Sequence, residues 1–386
     1  MRVLIVSHTY VLEHNCGKLR ALARLPDIDE VHAVVPNRWR ASAGSEGIVE
    51  PKAIVDGAFR RLPLAATTRR HQSALFFPGL ARYIRQFEPH VIQVEQGTRS
   101  LALTQALRAA RRMPRAPKVL FFTWWNLPYT LRGPARWLES HHLGRVDGAV
   151  AGNDDARSIL RSHGLTRPIL VQPQLGVGTQ HFVDRPAAPS DAPLRLAYVG
   201  RLANQKGVDL LIDAVAKLSS LPWTLRIVGS GPEENDLRQQ AQRSGVADRV
   251  SFRGSVAHDE VTPLLTEADV LVLPSRTDPD FRTLTARGWK EQFGRVLIEA
   301  MAAGAAVVGS DSGEIPNVIG DAGLVFEEGD ASDLADKLRT LVANRASLVD
   351  LAQRGQQRAR ATYSDEVLAD RLAVFYRSLD AGTVSP

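Results

Sequence analysis

Two glutamates stand eight residues apart around a glycine in the run Glu291-Gln-Phe-Gly-Arg-Val-Leu-Ile-Glu299. The apolar residues after that glycine predict a buried helix, which Gly304 is placed to end. Glu299 then lies near the helix N-terminus, where unpaired backbone N–H groups bind phosphates. Carboxylates accept hydrogen bonds from hydroxyl groups. A nucleotide sugar offers both a diphosphate and hydroxyls, whereas the alternative is an amphipathic core helix with two solvated glutamates.

Two cations, Arg201 and Lys206, lie in the turn that follows a predicted strand, Leu194–Val199. Open α/β sheets bind ligands at the carboxyl edge of their strands. Cations at that edge suit a leaving diphosphate, whose negative charge grows as the sugar–phosphate bond breaks. The alternative is an ordinary helix N-terminal turn with two surface cations.

Short apolar runs alternate with helical stretches along the whole chain, which predicts an α/β fold of doubly wound domains. Continuous apolar runs are typical of parallel strands that are buried on both faces. The proline-rich segment Asp184–Pro193 is interpreted as the interdomain linker. The predicted strands are Val3–Ser7, Val31–Val35, Val91–Val94, Val119–Thr123, Ala149–Ala151, Leu194–Val199, Leu225–Val228, Val250–Phe252, Val270–Leu273 and Ala305–Val308.

The net charge of +6 is unevenly spread along the 386 residues. Residues 1–190 hold 26 Lys and Arg against 14 Asp and Glu, a balance of +12, and residues 191–386 hold 22 against 28, a balance of −6. A basic half favours an anionic partner: a membrane surface, a phospholipid-linked acceptor or nucleic acid. Of these we expect the first two and no nucleic acid. The alternative is an arginine-rich composition that is solvated and inert.

The single cysteine, Cys16, excludes an intrachain disulfide and fits a reducing compartment. The N-terminus reads as a first strand rather than a signal peptide, and no run approaches the ~20 apolar residues of a membrane span. We therefore expect a cytoplasmic protein. The positive charge of residues 1–190 further predicts a peripheral position at the inner face of the cell membrane.

The motif Glu-x7-Glu with an internal Phe-Gly, followed by Glu-Ala-Met-Ala-x-Gly, resembles that of a large retaining glycosyltransferase family of GT-B fold (glycosyltransferase family 4-like, glycosyl transferases group 1). The resemblance is dense from Leu194 to Ile319. It implies two Rossmann-like domains facing across a cleft, and a C-terminal helix returning to the N-terminal domain. The predicted limits are 1–185 for the acceptor domain, 192–363 for the nucleotide-sugar donor domain and 364–386 for the helix.

The resemblance also implies roles for individual residues. Glu291 would hold hydroxyls of the transferred sugar and Glu299 those of the ribose. Arg201 and Lys206 would face the leaving diphosphate, so that Glu291, Arg201 and Lys206 form the catalytic set. The glycine turns are weak signals that plain βα turns also explain. The remaining donor-binding candidates are Phe293, Gly294, Arg295, Val296, Gly200, Gly229, Gly254 and Gly17.

The first half departs from the family pattern at two places. The loop after the first strand usually carries a Gly-Gly pair, and here Cys16 precedes Gly17. Many members carry a histidine after the strand that matches Val119–Thr123, and here the chain reads Thr-Trp-Trp-Asn, so no catalytic histidine is assigned. A loop anchor at Glu95 and simple packing of the tryptophans are the alternatives to acceptor roles. The acceptor-side candidates are Glu95, Trp125, Asn126 and His8.

The implied function is transfer, with retention, of a sugar from a nucleoside-diphosphate sugar to a lipid-linked, polysaccharide or small-molecule acceptor. We expect no cofactor and no metal, although Asp278-Pro-Asp280 resembles a metal-binding Asp-x-Asp. The alternatives are a nucleotide-sugar epimerase or hydrolase of the same fold, a non-catalytic binding module, and an NAD-linked Rossmann oxidoreductase. The loop after the first strand lacks the Gly-x-Gly-x-x-Gly that the last of these requires.

Overall fold

The computed structural model describes residues 1–40, 47–68, 72–183, 192–282 and 287–381. The chain forms two compact units: Met1–Gly176 together with the C-terminal residues from Asp365, and Val177–Ser364. The predicted linker at Asp184–Pro193 lies mostly outside the described residues. The predicted domain limits stay predictions.

The first unit is a mainly parallel sheet with helices between its strands. The strands are β1 Arg2–Val6, β2 Glu30–Pro36, β3 Trp39–Arg40, β4 Ile48–Val49, β5 Ile54–Asp56, β6 Phe59–Leu64, β7 Val91–Val94, β8 Lys118–Thr123, β9 Gly148–Ala151 and β10 Ile169–Val171. The strand order is β10-β9-β8-β7-β1-β2-β6-β5, and the edge strand β5 is antiparallel to β6. A separate antiparallel pair is formed by β3 and β4. The helices are α1 Gly17–Ala23, α2 Leu80–Phe87, α3 Leu101–Ala110, α4 Gly133–Leu143 and α5 Asp154–Ser162.

The second unit is built on a parallel sheet. Its strands are β11 Leu194–Val199, β12 Trp223–Val228, β13 Val250–Phe252, β14 Val270–Leu273, β15 Asp278–Arg282, β16 Arg287–Trp289, β17 Ala306–Ser310 and β18 Leu324–Phe326. The order in the parallel sheet is β13-β12-β11-β14-β17-β18, and β15 and β16 form a separate antiparallel pair. The helices are α6 Val208–Ala216, α7 Glu234–Arg243, α8 His258–Glu267, α9 Arg295–Ala302, α10 Ile315–Ile319, α11 Ala331–Ala343 and α12 Arg345–Arg358.

The last helix, α13 (Asp365–Ala381), belongs to the first unit. It packs against α1, and Tyr376 donates a hydrogen bond of 2.9 Å to Gln93 Oε1 on β7. Its predicted apolar face is buried, at Leu368, Leu372, Phe375 and Leu379. Two Rossmann-like α/β units with a helix returning to the first confirm the predicted fold class.

Both sheets have a point where the strand order changes direction. In the first unit β1 lies between β2 and β7, and in the second β11 lies between β12 and β14. Loops leave the two central strands in opposite directions at such a point, and the crevice between them is where ligands bind in this class of sheet. Candidate sites are therefore expected after β1 and β7, and after β11 and β14.

Candidate active site

The loops after β11 and β14 are held together at the switch point of the second unit. The backbone N–H of Arg276, just after β14, donates to the carbonyl of Gln205 at 2.9 Å. The Arg276 guanidinium pairs with Asp209 Oδ2 at 2.9 Å and also donates to Asn204 Oδ1. These bonds fix the loop that carries Lys206 against the segment that follows β14.

Gly207 shows why these loops approach so closely. Its φ of +64° lies in the left-handed region, and a Cβ at this position would stand 1.9 Å from the carbonyl oxygen of Pro274. Glycine alone satisfies both the backbone conformation and the contact. The close approach places the neighbouring Lys206 beside the loop that follows β14.

An ion pair between Lys206 and Glu291 lies at the centre of this site. Lys206 Nζ is 2.6 Å from Glu291 Oε2, and Ser275 Oγ donates to the same oxygen at 2.8 Å. The Lys206 ammonium also lies 4.7 Å from the centre of the Trp289 ring, within the range of a cation–π contact. Glu291 is only 7% exposed, so its charge depends on these partners.

The helix that follows, α9, begins as the sequence predicts. Gly294 precedes it with a φ of +77°, and the first helical residue is Arg295. Phe293 is buried and packs edge-on against Tyr363, with ring centres 5.6 Å apart. The Phe293 ring therefore anchors the helix start, and the backbone N–H groups of the first turn are the groups suited to an anion.

Glu299 lies one turn into α9 and pairs with Arg295, whose Nε is 2.9 Å from Glu299 Oε1. Burial raises the pKa of Glu299 above its ordinary value, while the Arg295 charge acts in the opposite direction. Val296, in the same turn, is half-buried. The arrangement leaves Glu299 as an acceptor near the helix start, as its predicted role requires.

The glycines predicted to meet the nucleotide follow three neighbouring strands of the second sheet. Gly200 N–H donates to the carbonyl of Val228 at 3.0 Å, and Gly229 N–H donates to that of Gly254 at 2.8 Å. A Cβ on Gly229 would meet the Gly200 carbonyl oxygen at 1.9 Å. The structure thus brings the three turns together and accounts for Gly229 by packing of the turns on one another.

The second predicted cation, Arg201, is exposed. Its carbonyl oxygen accepts a hydrogen bond of 2.8 Å from the hydroxyl of Tyr198. That contact fixes the backbone of the turn and leaves the guanidinium at the surface of the same loop as Lys206.

No group of three His, Cys, Asp or Glu side chains in the described ranges is arranged to hold a metal ion. The Asp278 carboxylate accepts hydrogen bonds from the backbone N–H groups of Asp280 and Phe281, both at 3.0 Å. Asp278 therefore stabilises the backbone at the start of β15.

In the first unit, Glu95 lies after β7 at the switch point and is buried. Its Oε1 accepts from the Tyr10 hydroxyl at 3.1 Å and from Gln93 Nε2 at 2.8 Å. Its Oε2 accepts from Gln174 Nε2 at 2.7 Å, and this amide also donates to Thr9 Oγ1. Both carboxylate oxygens are engaged by protein donors, which favours the loop-anchor interpretation of Glu95.

The residues after β8 are packed within the first unit. Trp124 lies against Gly152, where a Cβ would stand 2.0 Å from the ring, and its Nε1 donates to Gln174 at 3.1 Å. Trp125 is half-buried and its Nε1 donates to the carbonyl of Leu127. Asn126 is buried. These contacts account for the tryptophans by packing, while their predicted acceptor roles stay predictions.

Gly17 begins α1, and a Cβ there would stand 1.9 Å from Asp365 Oδ2 at the start of α13. The contact with Asp365 explains a glycine at this position without a ligand. Its predicted part in donor binding stays a prediction.

His8 follows β1 and lies 4.9 Å, between ring centres, from Trp39. Burial lowers the pKa of His8 from 6.5 to about 4. In the unfolded chain the His8 imidazole becomes protonated below about pH 6.5, whereas in the folded chain it becomes protonated only near pH 4. The stability that His8 contributes is therefore complete above pH 6.5 and is lost as the pH falls toward 4.

We predict that His8→Gln reduces the loss of stability between pH 7 and pH 4.5. The expected reduction is on the order of 1–3 kcal/mol in the free energy of unfolding, measured by urea titration at both pH values. The comparison variant is His163→Gln, which makes the same substitution at another half-buried histidine of the first unit. An identical pH dependence in wild type and His8→Gln would contradict the assignment.

Sequence reasoning missed three residues of the site: Ser275, Arg276 and Trp289. Ser275 and Arg276 follow the predicted strand Val270–Leu273 after one residue, Pro274. Because ligands bind at the carboxyl ends of parallel strands, this position was a signal for them. Trp289 ends a strand pair within the 277–289 loop, and no local pattern indicates that its ring reaches Lys206.

The described part of the chain contains no helix that is long and apolar enough to cross a membrane.

Comparison with known proteins agrees with this geometry. Residues 193–344 match the family described as glycosyl transferases group 1. The GDP-mannose-dependent alpha-(1-6)-phosphatidylinositol monomannoside mannosyltransferase of Mycobacterium tuberculosis is 33% identical over an alignment of 218 residues, and the match covers 53% of this chain and 55% of that protein. The chain thus spans about half the length of the curated relatives it matches.

Two solved structures match nearly the whole chain. The sucrose-phosphate synthase of Thermosynechococcus elongatus has a TM-score of 0.74 at 20% identity, over 99% of this chain and all of that one. Anabaena HepE, solved in complex with UDP, has a TM-score of 0.67 at 18% identity, over 98% of this chain and all of that one. At these identities the likeness shows the fold, which is that of the GT-B proteins.

The two sheets, their switch points and the motif around α9 thus define a protein of the GT-B class. The segment that carries Lys206 and Glu291 is similar to the glycosyl transferases group 1 family.

Proposed function

We propose that the protein is a retaining, metal-independent glycosyltransferase that moves a sugar from a nucleoside-diphosphate sugar to an acceptor hydroxyl. The observation that carries the proposal is the Lys206–Glu291 ion pair, which lies at the switch point of the second unit, just before the start of α9. A cation, a carboxylate and a helix N-terminus are the three groups that a sugar diphosphate requires.

Glu299 holds the ribose hydroxyls in this proposal, and Glu291 holds hydroxyls of the transferred sugar. The diphosphate lies against the first turn of α9, where Lys206 and Arg201 balance its charge. The flexible stem of Lys206 allows its ammonium to pass from the Glu291 carboxylate to a phosphate oxygen.

The reaction breaks the bond between the sugar C1 and the phosphate oxygen and forms a bond from C1 to the acceptor oxygen on the same face. The acceptor proton passes to the leaving phosphate, so the products are the nucleoside diphosphate and the glycoside. Lys206 stabilises the negative charge that grows on the leaving group. No side-chain nucleophile is required.

The acceptor is proposed to be lipid-linked or a polysaccharide. The positive balance of residues 1–190 supports a partner with anionic groups. The Mycobacterium tuberculosis relative is named for a phosphatidylinositol mannoside acceptor, which supports the lipid-linked choice. The protein would then work in the cytoplasm, peripherally at the inner face of the membrane.

Thermal-shift measurements against a panel of UDP-, GDP- and ADP-sugars test the donor part of the proposal. A donor present at 100 times its dissociation constant stabilises the folded protein by about 2.7 kcal/mol. We expect one nucleotide to raise the melting temperature, with the shift unchanged by EDTA. A shift only with nicotinamide dinucleotides, or a shift abolished by EDTA, would contradict the proposal.

A product assay separates transfer from its alternatives on the same fold. Release of nucleoside diphosphate that depends on an added acceptor supports transfer. Equal release without acceptor indicates a hydrolase, and a changed sugar with no release indicates an epimerase.

We predict that Trp289→Ala lowers turnover about three- to tenfold, because a cation–π contact contributes roughly 0.5–2 kcal/mol. The ring would keep the Lys206 ammonium in the position from which it reaches the diphosphate. Trp289→Phe keeps an aromatic face and should recover most of the loss, while the affinity for nucleotide changes less than turnover. Equal losses of turnover in both variants, together with a lowered melting temperature, would show that Trp289 only contributes to packing.

A further inference from the structure

Among the tryptophans that the structure describes, Trp137 is the most exposed, with 64% of its surface accessible. It lies on the outer side of α4, and its ring stands 4.9 Å, between centres, from the ring of His141 one turn later. Leu101, at the start of α3, is also exposed, at 41%. Burying a large aromatic ring is favourable, so a partner that covers Trp137 would gain free energy from the contact.

The helices α3 and α4 are neighbours, so their outer sides form one surface. Thr104 Oγ1 on α3 and His142 Nε2 on α4 are hydrogen-bonded at 2.9 Å. The pKa of His141 is lowered, first by desolvation and then by nearby positive charges. Those charges belong to Arg145, Arg111 and Arg108.

The surface carries cations without carboxylates to neutralise them. The chain from Gln96 to Leu138 contains eight Lys and Arg and no Asp or Glu. Arg108, Arg111 and Arg112 are exposed, and in the ranges that the structure describes they form no ion pair. Glu139, the first carboxylate on α4, is buried and bonded to Thr98, Tyr129 and His163.

We propose that this surface, which we call the Trp137 face (Leu101, Arg108, Arg111, Trp137, His141 and Arg145), docks on the anionic headgroups of a lipid bilayer. Tryptophan favours the boundary between headgroups and acyl chains, and arginines beside it attract anionic lipid. Exposed Leu101 adds apolar area of the kind that inserts at that boundary. A row of aromatic stacking platforms, which single-stranded nucleic acid requires, is not part of this face.

The inference rests on the proposed function only in that docking would bring the enzyme to an acceptor carried by a membrane. Docking itself needs no turnover. Its test is therefore independent of donor binding, which depends on residues of the second unit.

Co-sedimentation with vesicles tests the proposal, using the full chain with pure phosphatidylcholine and with phosphatidylcholine containing phosphatidylglycerol. We expect binding only to the anionic vesicles, weakened at 1 M salt, where the Debye length falls to about 3 Å. Arg108→Glu with Arg111→Glu should lower the partition coefficient at least about 30-fold, and Trp137→Ala roughly tenfold.

The matched control is Arg24→Glu with Arg167→Glu, two exposed arginines outside the face, which makes the same change in net charge. It should bind vesicles nearly as the wild type does. Thermal shift with the nucleotide sugar should be the same in all variants, so that failed docking and a failed donor assignment are distinguishable. Equal losses in the control and test pairs, or wild-type binding in Trp137→Ala and in the Arg108/Arg111 pair, would overturn the proposal. Binding to RNA, with no binding to vesicles at low salt, would also overturn it, in favour of nucleic acid.

Discussion

Replacement of Lys206 by alanine is expected to lower turnover by about 10²–10³-fold, the usual cost of removing one group that faces developing negative charge. The ammonium lies 2.6 Å from Glu291 and over the Trp289 ring, which fixes it at the mouth of the proposed diphosphate site. Nucleotide affinity should fall less than turnover, because the charge on the diphosphate grows only as the bond breaks.

Lys217→Ala provides the matched control, since Lys217 is an exposed lysine at the end of α6, the helix that Lys206 precedes. Turnover should be unchanged in that variant. Melting temperatures of both variants show whether the loss at Lys206 reflects unfolding. A Lys206→Ala protein that is folded and fully active would remove Lys206 from the reaction.

Glu291→Gln is expected to lower sugar transfer about tenfold to a hundredfold, because a hydrogen bond to a charged group contributes roughly 1.5–3 kcal/mol. The amide has nearly the same shape but no charge to pair with Lys206 or to accept strongly from sugar hydroxyls. Binding of the nucleoside diphosphate itself should be largely kept. Steady-state kinetics and titration with the diphosphate measure the two effects.

Glu299→Gln should mainly weaken nucleotide binding, whereas Glu291→Gln mainly lowers sugar transfer. The reason is that Glu299 is assigned to the ribose. Glu267→Gln is the control, since Glu267 forms a surface ion pair with Arg226 that contributes little. If both site variants bound and reacted like the wild type, the interpretation of the Glu-x7-Glu motif would be wrong.

Much of the fold could be predicted because parallel strands buried on both faces leave apolar runs in the sequence. Each predicted strand overlaps a strand of the structure, for example Val91–Val94 and Val270–Leu273, which match residue for residue. The strand β6 was missed because Arg60, Arg61 and Pro63 interrupt its apolar run. Arg61 is nevertheless buried, since its guanidinium donates to the carbonyls of Lys52, Tyr10 and Val11.

Edge strands give a weaker signal than central ones. β10 and β18 each have three residues and lie at the edges of their sheets, where one side of the strand has no partner to bury it. Runs of this length are too short for periodicity to separate a strand from a loop, so the prediction succeeded for the three-residue edge strand β13 and not for these two.

The residues of the candidate site could be predicted from the sequence, but the contacts between them could not. The sequence placed Lys206 and Glu291 at ligand-binding edges, but their direct ion pair joins residues 85 positions apart. That contact depends on Gly207 meeting Pro274, which no local pattern shows. Gly17 illustrates the reverse case, because a glycine that the family pattern assigns to a ligand is here packed against Asp365.

The anomeric configuration of the product tests the central claim most directly. Once thermal shift has identified the donor, its transfer to an acceptor in the presence of EDTA can be followed by proton NMR of the anomeric signal. The account predicts acceptor-dependent release of the nucleoside diphosphate and a product with the donor's anomeric configuration, both reduced about 10²–10³-fold in Lys206→Ala. An inverted product, or transfer that requires an added divalent metal, would contradict it.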